Sequence, residues 1–297
     1  MRRIALFFVI GGCLPQLPDL ADPCGPWPDP GLYRLKVDEP GPLRKPYVYV
    51  PSTAEGPRDV VYLLHGAGGT GPKMEESTEF EKLADEEGFV LVYPNGLGWP
   101  TRTWNAGYGF DDDHDDVKFL DDLAADVTEK VCAGRSFATG FSNGAMMTHR
   151  WACEGKAAIE AISPVSGVLL VDDCARPMPV RHYHGTADKV VRVEGGKGTV
   201  LRDVSFPSVD ETMAIWRGVN GCSDDPPEVT TEGDTTCTAW KCGTPTEMCL
   251  IEGWDHHWPG GIYSAKTDAD ATGEIWSWFG RVAPEETGDP TDAEPVD

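Results

Sequence analysis

A chain of 297 residues, 40% hydrophobic and 25% charged, carries enough apolar material for a full core, and its length fits one large domain with tails. Its formal charge of -24 repels phosphate backbones and anionic headgroups, which argues against nucleic-acid binding and against electrostatic attachment to a membrane. No apolar run reaches the roughly 18 to 20 residues needed to span a bilayer.

The chain opens with Met1-Arg2-Arg3, a short apolar run over 4–10 and Gly11-Gly12-Cys13, the pattern of a secretory signal over residues 1–12. Ile10-Gly11-Gly12-Cys13 also resembles a bacterial lipobox. Cys13 is therefore the expected lipidation site, and the protein is expected outside the cytoplasm, secreted or held at a bacterial membrane through that lipid alone. Of nine cysteines, setting Cys13 aside leaves an even number suited to disulfides in an oxidising compartment. Cys237, Cys242 and Cys249 lack the C-x-x-C pair or histidine spacing of a zinc site, so no metal centre is expected there.

Residues 13–31 are Pro-rich and read as a tether. Alternating runs at 33–37 and 45–50 suit a hairpin-like edge. The continuous apolar run at 59–64 reads as a strand buried on both faces and stops at His65-Gly66-Ala67-Gly68-Gly69. There follow a helix (74–87), a strand (89–93), a Gly/Pro-rich loop through Trp104 to Gly107, an acidic run (111–116) and an amphipathic helix (117–127). A β-like run at 135–139 leads through Gly140-Phe141-Ser142-Asn143-Gly144 into a helix at 145–154. Strands at 159–165 and 179–184, a helix at 209–219, a strand at 248–252 and a helix at 269–282 complete the alternation, and residues 283–297 form an acidic, Pro-rich tail expected to be disordered. The expected architecture is α/β: one domain over 32–282 with a mainly parallel sheet covered by helices on both faces.

G-x-S-x-G between a strand and a helix is the context of a nucleophile elbow, where the serine occupies a strained turn and the flanking glycines let backbones pass close to it. A serine nucleophile needs a base and an orienting acid, and in α/β-hydrolases these follow in the order Ser, Asp or Glu, His. Asp188, in His184-Gly185-Thr186-Ala187-Asp188, lies just past a strand end; its alternative is an ordinary Asx turn. His256 and His257 share a loop before the last helix, and either could be the base. His114, His149 and His184 are read as histidines bonded to backbone, and His65 as a brace for the loop behind it. The oxyanion donors are expected to be the backbone N–H groups of Asn143 and Ala67. The glycine-rich loop lacks the spacing of a phosphate cradle. The acidic run 111–116 lacks the spacing and glycine of a Ca²⁺-binding EF-hand and reads as a solvated loop.

His65-Gly-Ala-Gly-Gly, Tyr93-Pro-Asn-Gly, Trp104-Asn-Ala-Gly, Gly140-Phe-Ser-Asn-Gly, Pro164-Val-Ser-Gly, His184-Gly-Thr-Ala-Asp and His256-His-Trp-Pro-Gly occur in this order. In that order the chain resembles the polyhydroxybutyrate depolymerase-like esterases, a group that also holds feruloyl and acetylxylan esterases. The resemblance implies an α/β-hydrolase fold and a serine esterase acting through an acyl-enzyme without a cofactor. It implies Ser142, Asp188 and His256 as the triad, with His256 chosen because it stands two residues before Trp258-Pro259-Gly260. It also implies a Cys153–Cys174 bridge and Trp104 lining the substrate site, where Trp258 is expected as well. Trp254-Asp255 stands where the family usually has glycines, which suggests a bulkier, more acidic entrance. The expected partner is an ester: polysaccharide-linked, a hydroxyalkanoate oligomer or a small molecule. A non-catalytic binding protein on the same fold and a serine peptidase are the alternatives.

Overall fold

The computed structural model describes residues 14–18, 28–35, 44–53, 57–97, 101–108, 110, 113–174, 176–199, 204–263 and 267–283. The signal, Cys13, Cys24, much of the tether, Asp111, Asp112 and residues 284–297 lie outside these. In chain order the first strands are β1 (Gly31–Arg34), β2 (Tyr47–Val50), β3 (Arg58–Leu64), β4 (Val90–Tyr93), β5 (Ala133–Phe141), β6 (Ala161–Val165) and β7 (Val180–Gly185). The short pair β8 (Gly196–Lys197) and β9 (Ser205–Phe206) precedes β10 (Glu228–Glu232), β11 (Thr235–Trp240) and β12 (Thr246–Ile251). The main sheet has ten strands in the order β1-β2-β4-β3-β5-β6-β7-β12-β11-β10. The run from β4 to β12 is parallel, and the antiparallel pairs lie at the two flanks.

Side chains alternate along β3 because successive residues of a strand face opposite sides. Val60, Tyr62 and Leu64 enter a core shared with helices α3 (Asp116–Lys130), α4 (Asn143–Glu154) and α5 (Val209–Val219). Val61 and Leu63 enter a second core shared with α1 (Gly71–Thr78), α2 (Phe80–Glu87) and α6 (Ala271–Val282). The sheet is thus covered on both faces, which is why the run at 59–64 is apolar without a break.

Two expectations change. The single helix over 74–87 is two helices, because Glu79 adopts a left-handed conformation (φ 57°) that ends α1 and starts α2. The hairpin β10–β11 has no counterpart in the sequence reading. Its two-residue turn, Gly233-Asp234, joins runs rich in Thr, a recognisable hairpin signal. Every residue of β10 is solvent-exposed, so no hydrophobic pattern marks it.

Candidate active site

The loops that follow β3, β5, β6, β7 and β12 gather at the carboxyl end of the parallel strands, where open α/β sheets hold their ligands. Ser142 joins β5 to α4 with φ 55° and ψ -120°, a region costly for a residue with a side chain. The neighbouring glycines are demanded by contact. A Cβ on Gly144 would stand 2.2 Å from the Leu64 carbonyl oxygen, and one on Gly140 would stand 2.7 Å from the carbonyl of Gly144. The elbow therefore sits against the end of β3 with no room for a methyl group on either side.

His256 bridges the other two residues. Its Nε2 lies 2.9 Å from Ser142 Oγ and its Nδ1 2.6 Å from Asp188 Oδ2. Asp188 Oδ1 accepts the backbone N–H groups of Val190 (2.8 Å) and Val191 (2.9 Å), so the residue makes its Asx turn and faces His256 at once. Burial alone would raise the Asp188 pKa; His184 and then His256 outweigh it and hold the carboxyl well below the usual carboxylate range. With Asp188 ionised, His256 carries its proton on Nδ1 and turns the lone pair of Nε2 to the serine hydroxyl. Its neighbour His257 is half-exposed and pairs with Asp255, away from Ser142.

Opposite the histidine, the loop after β3 lies against the elbow: a Cβ on Gly66 would come within 3.4 Å of Ser142 Cβ. Neither Ala67 nor Asn143 gives its backbone N–H to an acceptor among the described residues. Both stand beside Ser142, at the first turn of α4 and in the adjoining loop. Around them the scaffold is closed. His65 Nδ1 lies 2.8 Å from the Gly66 carbonyl and its Nε2 accepts from Gly96 N–H (3.0 Å), and burial holds its pKa at about 4, so the ring is neutral. The Asn143 side chain pairs with both backbone groups of Trp104, accepting at 2.7 Å and donating at 3.1 Å. Trp104 Nε1–H donates to the His65 carbonyl at 2.9 Å.

No protein-family model matches the chain. It is 29% identical over 229 residues to a feruloyl esterase B of Piromyces equi, covering 72% of this chain and 42% of that protein. It is 32% identical over 162 residues to a bifunctional acetylxylan esterase/xylanase of Neocallimastix patriciarum, covering 54% of this chain and 24% of the relative. The chain thus spans less than half the length of these two relatives. A probable feruloyl esterase C of Aspergillus niger is 27% identical over 239 residues and is covered over 79% of its length. Among solved structures, an acetyl xylan esterase from Aspergillus awamori superposes with a TM-score of 0.63 over 84% of this chain and 99% of that one, at 18% identity. The chain has the α/β-hydrolase fold.

Within that fold several expected residues take other places. Trp104 is fully buried and touches no open space, so it does not line a substrate site; it ties the loop after β3 to the elbow. Trp258 does border an open cavity of about 170 Å³ next to His256, with Met74, Phe141 and Tyr263. Trp254 does not narrow the entrance, because it is buried in the second core with its indole N–H on the His257 carbonyl (3.1 Å). The acidic run is not simply a solvated loop. Asp115 caps α3 through Lys118 N–H (2.9 Å), and buried Asp116 pairs with Arg44 and accepts Asn105 N–H at 2.6 Å. Among the described residues no group of three or more His, Cys, Asp or Glu is placed to hold a metal ion. Cys153 is bonded to Cys174, Cys222 to Cys242 and Cys237 to Cys249. His149 and His184 do more than bond to backbone: with His182 they form a buried row behind Asp188.

Proposed function

We propose that the protein is an extracytoplasmic serine hydrolase of carboxylic esters that works through an acyl-enzyme on Ser142. The observation that carries this reading is the bridge made by His256, 2.9 Å from the serine hydroxyl and 2.6 Å from the carboxylate of Asp188. As Ser142 Oγ attacks the ester carbonyl, His256 Nε2 takes its proton, and Asp188 stabilises the imidazolium. The oxyanion of the tetrahedral intermediate is met by the free N–H groups of Ala67 and Asn143, held in place before the substrate arrives. Collapse returns the proton from His256 to the leaving alcohol. Water, activated by the same histidine, then releases the acid.

The cavity beside His256 is small against the roughly 300–1,000 Å³ of sites that enclose drug-sized ligands, and its aromatic wall suits one acyl or aryl group rather than a length of polymer. With feruloyl and acetylxylan esterases among the relatives, we favour a carbohydrate-linked aromatic or acetyl ester over a hydroxybutyrate oligomer. All seven cysteines from Cys132 to Cys249 are disulfide-bonded, which supports an oxidising compartment. Lipidation of Cys13 is the proposed anchor. No helix among the described residues is long and apolar enough to cross a membrane.

The test is hydrolysis of a short-chain nitrophenyl ester beside a peptide anilide, followed by methyl ferulate, acetylated xylan and hydroxybutyrate oligomers. His256→Ala should lower kcat by about 10³-fold or more and His257→Ala far less. Folded protein without ester hydrolysis, or greater damage from His257→Ala, defeats this reading. For the anchor, Cys13→Ser should move the protein from the membrane fraction to the soluble one; a wild type that is already soluble with an unmodified cysteine removes that part.

A further inference from the structure

Behind Asp188, on the side away from His256, three imidazoles stand in a row. His149 comes from α4, His182 and His184 from one face of β7, and all three are buried, with exposures of 0%, 0% and 1%. Trp216 of α5 places its Nε1 3.0 Å from His149 Nδ1. His149 Nε2 lies 3.3 Å from His182 Nδ1, and His182 Nε2 lies 3.0 Å from His184 Nδ1. His184 Nε2 ends the row, 2.7 Å from the Val191 carbonyl oxygen and 3.4 Å from Asp188 Oδ2.

The direction of this row follows from its first member. An indole N–H can only donate, so His149 Nδ1 must accept and its proton must sit on Nε2. That N–H faces His182 Nδ1. His182 Nδ1 then accepts, its own proton sits on Nε2, and the same logic passes to His184. His184 is left with one N–H to give, and it meets the Val191 carbonyl and, at longer range, the carboxylate of Asp188. A single set of tautomers satisfies every contact. Burial favours the neutral ring at His149 and His182: it takes the His149 pKa down to about 3 and His182 well below its ordinary value.

The far end of the row grips the segment that carries the acid. Val191 gives its N–H to Asp188 Oδ1 and its carbonyl to His184, while Oδ2 lies between His184 and His256. Turning the Asp188 carboxylate would break contacts on both oxygens.

We propose that Trp216, His149, His182 and His184 form a one-directional chain of hydrogen-bonded rings that positions Asp188 for its work with His256. The first three touch neither Ser142 nor the substrate cavity, and they act as positioning residues. The inference rests on the triad reading above, and its first test is independent of activity. In nitrogen-15 histidine spectra of the wild-type protein, His149 and His182 should each appear as the Nε2–H tautomer throughout pH 5–9, and His184 should carry a proton on Nε2. A neutral Nδ1–H tautomer at any of the three, or a charged His149 or His182 in that range, overturns the chain, whether or not the protein hydrolyses esters.

The second test asks whether the chain reaches the chemistry. His182→Leu breaks the row at its middle, whereas the amide of His182→Gln can accept from His149 and donate to His184. The leucine variant should lose about tenfold in kcat with little change in KM. The acidic limb of its kcat/KM profile should move to lower pH, because a loosened carboxylate stabilises the imidazolium of His256 less. The glutamine variant should recover most of both. A folded leucine variant with the wild-type kcat and profile overturns the positioning role. So does a glutamine variant no better than leucine; and if the leucine variant does not fold, the glutamine variant read against wild type with the tautomer spectra decides the matter.

Discussion

The parallel centre of the sheet and its antiparallel flank, β10 to β12, are held together by different means. In the centre, single residues serve several partners. Asn143 keeps a backbone N–H open beside Ser142 while its side chain pairs with Trp104. Asp188 closes a turn with one oxygen and faces His256 with the other. In the flank, β10 is exposed along its whole length and is held by ladder hydrogen bonds to β11, which is stapled to β12 where Cys237 and Cys249 stand opposite each other. The difference teaches where damage should be read: changes in the centre should lower activity per folded molecule, and changes in the flank should lower stability alone.

The sharpest test of the centre is Gly144→Ala. The new Cβ would meet two backbone oxygens, Leu64 at 2.2 Å and His65 at 2.6 Å, and neither can swing away as a side chain could. Loss of kcat/KM by about 100-fold or more is expected, the scale of losing an oxyanion donor, together with lower yield of folded protein. Gly243→Ala, in the β11–β12 turn, is the matched control, because its nearest neighbour is the Asn220 carbonyl oxygen at 3.6 Å. That variant should stay within about 0.5 kcal/mol of wild type in denaturant titration. A Gly144→Ala enzyme as active as the control would end the comparison.

The next largest effect belongs to the flank. Replacing Cys237 and Cys249 together by alanine opens a loop whose ends are 12 residues apart, which costs about 3 kcal/mol if the bridge acts by restricting the unfolded chain. Thermal unfolding should register that loss, while kcat/KM measured well below the new midpoint should equal the wild-type value. A tenfold fall in kcat/KM of the folded variant would show that the flank does touch the chemistry.

The centre was also the more legible region. The apolar run of β3, the glycines around Ser142 and the chain order of Ser142, Asp188 and His256 are local signals, because each follows from what one short stretch must do. What stayed hidden depends on how distant stretches pack. Trp104 sits in a motif beside the site, yet a motif places a residue near a site without saying which way it faces, and its indole turned inward to the His65 carbonyl. The histidine row joins α4 to β7, and nothing local announces His149. His182 and His184, two apart on one strand, do show the period that puts side chains on one face, and that signal could have paired them. The hairpin β10–β11 lacks buried side chains, so only its Gly233-Asp234 turn and Thr-rich arms could have given it away.

Trp104→Phe asks whether the buried brace matters to the site. The phenyl ring refills most of the space but cannot donate to the His65 carbonyl, which is left buried without that partner. A stability loss of roughly 1–2 kcal/mol is expected. Because the His65 carbonyl begins the loop that carries Ala67, kcat should fall several-fold with KM nearly unchanged. A loss of stability with kcat intact would assign Trp104 to packing alone.

Glu75 should give the smallest effect, and one of opposite sign. It lies on α1, half-buried, and burial first and the nearby Glu81 carboxylate second raise its pKa to about 7, against the partial relief of the Glu81 N–H. A carboxyl whose folded pKa is raised above its ordinary value near 4.5 contributes its full share of stability below about pH 4.5 and loses it as pH rises through about 7. Above that range the wild type holds a partly desolvated charge beside another, and Glu75→Gln does not. The variant should therefore be the more stable protein at pH 8, by under about 1 kcal/mol once solvent screening of this partly exposed group is allowed for. At pH 4 the two proteins should coincide, since both side chains are then neutral. Denaturant titrations at the two pH values decide it: a variant less stable at pH 8, or a difference of equal size at pH 4, would mean that Glu75 is held by favourable contacts and that this rim of the centre is as tightly bonded as the rest.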